Sequence, residues 1–272
     1  MKFTKMQAFG NDYVYIDAIS QELKKLPELA RFISDRHFGL GSDGMVLICP
    51  SECADFRMRI FNPDGSEGEM CGNAIRSVGK YVYEHKLTKK TELTVETLGG
   101  IKLLTLFLDR GFVTNICANI GQPGFNEDFI EKPVNVIDRS FNVTTVSWGN
   151  PHIVSFVDDV MGLDVRKYGY ELENMTDLFP NRTNVTFAQI IDRNNIKIRE
   201  WERGTGETIG CGTGCATAVV TGVRLNLCNR AVTVEQIGGP LDIRWEEETN
   251  ELFMTGPSHT VFESDIDVSH IF

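Results

Sequence analysis

Two cysteines stand apart from the other five by their flanks. Cys71 is followed by Gly72 and Asn73, and Cys211 by Gly212 and Thr213, and each opens a proline-free stretch of helical character. A helix N-terminus carries roughly half a positive charge and unpaired backbone N–H groups. A thiol placed there gives up its proton more readily than at its ordinary value of ~8.5. The same N–H groups can hold a carboxylate, and glycine lets a ligand come close to the backbone. Two such thiols facing one cleft could grip a carboxylate from two sides and reach opposite faces of the adjacent carbon. One thiolate would remove a proton from one face while the other thiol returns a proton to the opposite face. That inverts a stereocentre, with the developing carbanion-like charge stabilised by the two helix starts.

The spacing makes the cysteines a pair. Cys211 follows Cys71 by 140 positions, and Trp201 and Gly212 follow Phe61 and Gly72 by the same number. Gly149-Asn150 repeats Gly10-Asn11 at a shift of 139, as Thr233-Val234-Glu235 and Gly238-Gly239 repeat Thr94-Val95-Glu96 and Gly99-Gly100. Solenoid periods are ~20–50 residues, so this is a duplicated domain. Each copy predicts a strand of period-2 alternation, Phe56–Phe61 and Ile196–Trp201, then a Gly- and acid-rich loop and the Cys-Gly pair. A helix follows over Asn73–Glu84 and Thr213–Leu225, with Ile75, Val78, Tyr81 and Val82 at helical spacing in the first and small Ala216, Val219, Val220 and Val223 in the second. The expected fold is α+β: two pseudo-symmetric domains, each a curled, mostly antiparallel sheet around a central helix, with the active cleft between them. Gly and Pro in Asn119–Phe125 put the boundary there, giving halves 1–118 and 119–259; the run Thr260–Phe262 and the tail, 260–272, could complete the first.

Other chemistries fit less well. A buried cysteine is usually a small hydrophobe, and that is the reading of Cys49, Cys53, Cys117, Cys215 and Cys228. The Cys49-x3-Cys53 and Cys211-x3-Cys215 spacings are wider than the usual zinc C-x2-C pair, and the second falls inside a helix. No Gly-Lys-Ser/Thr follows the glycines around Cys211, as a phosphate loop requires. No metal and no cofactor, pyridoxal phosphate included, are therefore expected.

Composition sets the broad class. With 42% hydrophobic and 24% charged residues over 272 positions, the chain is an ordinary globular protein of one large or two small domains. The 27 basic and 38 acidic residues leave a charge of −11 with no basic cluster, which argues against nucleic acid. The N-terminus lacks an apolar signal region, and no run approaches the ~18 apolar residues of a membrane span. A cytoplasmic protein without a membrane partner is expected, its seven cysteines read as free thiols. A homodimer is compatible with this reading, which does not fix the oligomeric state.

With these residues in hand, the chain resembles the diaminopimelate epimerases, cofactor-independent amino acid epimerases. The resemblance rests on Phe9-Gly10-Asn11-Asp12, Asn62-Pro63-Asp64-Gly65-Ser66, Met70-Cys71-Gly72-Asn73, Gly149-Asn150-Pro151-His152, Glu202-Arg203-Gly204-Thr205-Gly206, Cys211-Gly212-Thr213-Gly214 and Met254-Thr255-Gly256-Pro257. These motifs span nearly the whole chain in the family's order. The resemblance implies interconversion of LL- and meso-2,6-diaminopimelate, in lysine and peptidoglycan precursor biosynthesis, with Cys71 and Cys211 as acid and base. It also implies supporting catalytic roles for His152 and Glu202. Implied substrate contacts are Asn11, Asn62, Gly72, Asn73, Asn150, Asn184, Glu202, Arg203, Gly212 and Thr213. Ala74, Cys215 and Gly44 depart from common family residues; Gly44 stands where some members have Gln, so a side-chain contact is expected to be lost there.

The residues also bear on substrate. Arg203, beside Glu202 and just before Cys211, suits a planar clamp on a second, distal carboxylate. Diaminopimelate has that carboxylate and proline or histidine does not. Three rivals remain: a racemase of another amino acid using the same cysteines, a single-base isomerase, and a non-catalytic ligand-binding or thiol redox protein.

Overall fold

A computed structural model describes residues 1–269 and 271. The chain forms two compact units, Met1–Ala118 with the segment from Gly256 onward, and Asn119–Thr255. Both are α+β.

The first unit runs β1 (Lys2–Ala8), β2 (Asn11–Asp17), α1 (Leu26–Ser34), β3 (Met45–Cys49), β4 (Phe56–Phe61), β5 (Glu67–Gly68), α2 (Gly72–Glu84), β6 (Glu92–Thr97), β7 (Gly100–Asp109) and β8 (Phe112–Gly121). The run Thr260–Phe262 lies within a terminal strand, His259–Asp265, which pairs antiparallel with β1. From that strand the order is β1, β2, β3, β4, β6, β7, β8, with β5 a short return beside β4. Within this order of described strands, β2–β3 and β4–β6 are the parallel pairs, and their connections carry α1 and α2. A parallel pair needs such a crossover, whereas antiparallel neighbours close with tight turns.

Helix α2 packs on β1, β2 and β7, strands far apart in that order, so the sheet curls around it. Gly79 permits the close approach: a Cβ there would stand 3.0 and 3.1 Å from Leu106 and Leu104 side chains of β7. Strand alternation sorts the two faces. Met58 and Ile60 are buried on the α2 side, while Phe61 joins Val14, Ile16, Met45 and Leu47 beneath Leu29, Ala30 and Ile33 of α1. Strands β2 and β3 are covered on both sides and read as continuous buried runs.

The second unit repeats this plan: β9 (Gly124–Phe125), β10 (Lys132–Val136), β11 (Arg139–Ser147), β12 (Pro151–Phe156), α3 (Val165–Glu173), β13 (Asn184–Asp192), β14 (Asn195–Glu202), β15 (Gly206–Thr208), α4 (Gly212–Arg224), β16 (Ala231–Gln236), β17 (Gly239–Trp245) and β18 (Leu252–Gly256). Its order, β10, β11, β12, β13, β14, β16, β17, β18, is the first unit's order strand for strand. The parallel pairs are again those around the two helices, β12–β13 and β14–β16. Helix α4 packs on five strands, β12, β13, β14, β16 and β17, and is buried from Gly214 to Gly222. Helix α3 covers the other face, where Trp201 packs so closely that a Cβ on Gly169 would meet its side chain at 2.6 Å.

Candidate active site

In the first unit, Cys71 is the N-cap of α2, in extended conformation, with the first intrahelical bond running from Ile75 N–H to its carbonyl at 2.9 Å. The N–H groups of Gly72, Asn73 and Ala74 therefore precede the helical ladder and mark its positive end. Cys71 Sγ donates to Asn11 Oδ1 at 3.5 Å, and Asn73 Nδ2 donates to the same oxygen at 3.4 Å. The Asn11 amide is held in this sense because its Nδ2 donates to Asp43 Oδ2 at 2.9 Å. Asp43 in turn pairs with Arg36 at 3.0 Å. Arg76, fully buried one turn into α2, donates to Gly72 O at 3.0 Å and Asn73 Oδ1 at 2.7 Å. Burial and the neighbouring Cys71 sulfur push the Tyr13 phenol well above its ordinary value.

In the second unit, Cys211 occupies the same place at α4, with Cys215 N–H bonded to its carbonyl at 3.0 Å. Thr213 Oγ1 lies 3.4 Å from the Cys211 sulfur, and the Cys211 N–H donates to Gln236 Oε1 at 2.9 Å. Burial pushes the Cys211 thiol well up, and the carboxyl groups of Glu202 and Glu200 add to the effect; Thr213 and the Gly214 N–H work the other way. Glu202 accepts from Thr208 Oγ1 at 2.6 Å. His152 is fully enclosed, and its imidazole is pushed down to about 3, by burial first and the Arg203 charge second. Asn184 Nδ2 lies 3.4 Å from His152 Nε2 and donates to Pro151 O at 3.0 Å, while its Oδ1 accepts from Arg203 N–H at 2.9 Å. The Arg203 side chain is exposed and donates to Asn181 O at 2.9 Å. Asn150 is half-buried at the entry to β12, behind Trp148, whose indole N–H donates to Thr217 of α4 at 3.0 Å.

The two outer helices hold the loops that carry the remaining residues. Arg31 of α1 donates to Asp64 O at 2.7 Å in the turn that displays Asn62, which is exposed and bonded to Ser66 Oγ at 3.0 Å. At the corresponding place in the second unit, Glu173 of α3 accepts from Gly204 N–H and Trp201 Nε1, both at 2.7 Å, and pairs with Arg182. Arg203 is thereby fixed by its neighbours on both sides.

Sequence reasoning missed several of these supports. Tyr13 and His152 are equivalent at the 139-residue shift, so the first could have been found from the second. Asp43, Glu173 and Gln236 give no local signal, since what marks each is a partner distant in sequence. Of the departures, Ala74 is buried, with its carbonyl accepting from Tyr15 OH at 3.3 Å, and Cys215 shares Gln236 Oε1 with the Cys211 N–H, at 3.4 Å. At Gly44, φ is +153° and a Cβ would come 2.3 Å from Phe61 O, so this backbone has no room for a side chain and the local fold requires the glycine.

The sequence profile of the diaminopimelate epimerases matches residues 3–122 and 144–261. The chain belongs to the diaminopimelate epimerase family. It is 46% identical over 278 residues to the diaminopimelate epimerase of Methanococcus maripaludis strain S2, covering 98% of this chain and 100% of that one. The Acetivibrio thermocellus diaminopimelate epimerase is also 46% identical, with 100% of both chains covered. The fold is shared more widely. A PhzF-family phenazine biosynthesis protein of Bacillus anthracis superposes with a TM-score of 0.75 at 20% identity, covering 98% of this chain and 99% of its own. A probable proline racemase of Agrobacterium radiobacter K84 gives 0.75 at 14% identity, covering 98% and 93%. Within the diaminopimelate epimerase family, a family of isomerases, the chain thus combines the expected motifs with its own Gly44, Ala74 and Cys215. Among the described residues no helix is long and apolar enough to cross a membrane.

Proposed function

We propose that this protein is a cofactor-independent epimerase that interconverts LL- and meso-2,6-diaminopimelate in the cytoplasm, supplying lysine and peptidoglycan synthesis. The observation that carries the reading is the pair of cysteines, each the N-cap of the enclosed helix in its half, in a chain of this family. Two-base inversion requires the thiols to reach opposite faces of one α-carbon. The thiolate of one takes the α-proton as the thiol of the other delivers its own, and the roles reverse for the return reaction.

Each residue then has a task. The N–H groups at Gly72–Asn73 and Gly212–Thr213 receive the α-carboxylate, where negative charge builds as the proton leaves. Asn11 holds the Cys71 thiol and Thr213 that of Cys211. Glu202 and His152 support the Cys211 side, His152 as a neutral ring because its site disfavours the cation. Arg203 is the cation available to the distal carboxylate, while Asn62, Asn150, Asn184 and Glu202 serve the distal amino acid head group. No step is routed through a metal or pyridoxal phosphate, and the small substrate is the partner this reading assigns.

Proton NMR of LL-diaminopimelate with the protein in D2O tests the whole reading. Loss of the α-proton signal with appearance of the meso isomer is expected. Solvent exchange of proline or another amino acid in its place would transfer the chemistry to a different substrate. Binding without exchange would make the protein a ligand-binding or redox protein.

A further inference from the structure

The two halves differ in one buried contact under the catalytic helix. In the first unit, Val46 and Ile60 face each other across β3 and β4. Their counterparts at the 140-residue shift are Thr186 and Glu200, paired in the same register across β13 and β14. The fold therefore accepts an apolar pair at this position, and the polar pair is particular to the Cys211 side. Glu200 is 2% exposed. Its Oε2 accepts from Thr186 Oγ1 at 2.5 Å, and its carboxyl group sits under the first turn of α4, where a Cβ on Gly214 would meet Oε2 at 2.4 Å. Glu200 and Cys211 line one small recess with Thr208 and Gln236.

The other carboxyl oxygen faces His152. Glu200 Oε1 and His152 Nδ1 are both buried without a hydrogen-bond partner and stand 3.8 Å apart. With Asn184 Nδ2 donating to His152 Nε2, the ring proton is on Nδ1, the nitrogen 3.8 Å from Glu200 Oε1. The titratable groups around Glu200 are thus Cys211, His152 and Glu202, with the Arg203 charge acting on His152. Of these, Cys211 and Glu200 are enclosed acids, and the one enclosed base is held neutral. Two enclosed anions side by side are strongly disfavoured, so such groups titrate as a pair and not singly.

We propose that Glu200 is a positioning residue that acts through Cys211: the two share a single negative charge, so Cys211 is the protonated thiol of the substrate-free protein and the donor in the direction in which Cys71 takes the α-proton. This rests on the reading of Cys211 as an acid/base group, and its test is independent of turnover. In the absence of substrate, the rate of Cys211 alkylation by iodoacetamide is followed against pH by peptide mass spectrometry, with Cys71 as the internal reference. E200Q keeps the shape and the Thr186 contact but cannot ionise. Its Cys211 midpoint should fall by about one unit or more, a roughly tenfold faster alkylation at a fixed pH below the midpoint, with Cys71 unchanged. E200D keeps a carboxyl group and should leave the Cys211 midpoint near that of the unsubstituted protein. An unmoved midpoint in E200Q overturns the proposal. So does an equal shift in E200Q and E200D, which would make the effect one of packing and not of charge. Diaminopimelate exchange failing while the alkylation result holds would remove the substrate assignment and leave the shared charge.

Discussion

Asn184→Ala separates scaffolding from substrate contact. The amide of Asn184 is buried, and it joins the Pro151 carbonyl and the His152 ring at β12 to the Arg203 N–H after β14. Alanine removes two hydrogen bonds of good length, at 2.9 and 3.0 Å, and leaves a part-buried N–H and a carbonyl without these partners. At about 0.5–1.5 kcal/mol net per bond, the expected loss is about 1–3 kcal/mol. At about 2–4 °C per kcal/mol, appropriate to a chain of this size, the melting temperature should fall by about 2–12 °C. The chemical effect should exceed the stability effect, because His152 loses its tautomer-fixing neighbour and Arg203 its backbone anchor. A displacement of about 1 Å can cost a hundredfold in rate, so kcat/KM for diaminopimelate should drop by at least about tenfold. Scanning calorimetry and steady-state epimerisation read the two effects. A variant that melts with the unsubstituted protein would refute the clamp. A melting temperature lowered without any loss of kcat/KM would show that the clamp does not serve the site.

Other outcomes follow from the same geometry. Arg203→Met should lower kcat/KM on diaminopimelate by roughly tenfold to a hundredfold while both thiols still alkylate, since the side chain is exposed and a hydrogen bond between charged groups is worth ~1.5–3 kcal/mol; a variant within about twofold, as for a surface pair, would remove the distal-carboxylate role. Gly214→Ala should destabilise the protein by up to about 2 kcal/mol in urea melts, because overpacking of ~1–3 kcal/mol is offset by a helix-propensity gain of only about 1; the new Cβ meets a carboxyl group pinned by Thr186. His152 makes the fold acid-labile. Burial pushes its pKa down to about 3 in the folded protein from an ordinary 6.5, so the unfolded chain binds the extra proton between those values. Stability should therefore fall as pH drops from 6.5 towards 3, by up to about 1.4 kcal/mol per unit from this group. His152→Gln should flatten that limb of a stability–pH curve, and an unchanged limb would mean that His152 titrates normally.

Much of the site could be read from sequence because it is duplicated. The period-2 strand, the Gly-rich loop and the Cys-Gly helix start recur in both halves, and the observed β4, α2, β14 and α4 begin and end within a residue or so of the expected spans. The outer helices were missed although each carries a local mark. Pro27 stands in the first turn of α1, and Asp164 caps α3 by accepting from Lys167 N–H at 3.0 Å. In α3 the signal is interrupted by Gly169, which is there for the Trp201 side chain and not for the helix. Glu200 was invisible for a different reason. Alternation after Ile196 and Ile198 points position 200 inward, yet a lone glutamate in a strand ordinarily reads as solvated. Only its alignment with Ile60 exposes the anomaly, and only the packing of Thr186 and Gly214 against it shows why a carboxyl group can remain there. Asp43, Glu173 and Gln236 act across 25 to 32 residues of chain, a separation at which single-sequence patterns carry no pairing information.

The central claim is that two cysteines, each at a helix start, divide one inversion between them. Cys71→Ala and Cys211→Ala, each checked for native circular dichroism, should be followed by proton NMR with LL-diaminopimelate in D2O. The account predicts that neither variant forms meso-diaminopimelate while the unsubstituted protein does. Near-normal epimerisation by either folded variant would contradict it.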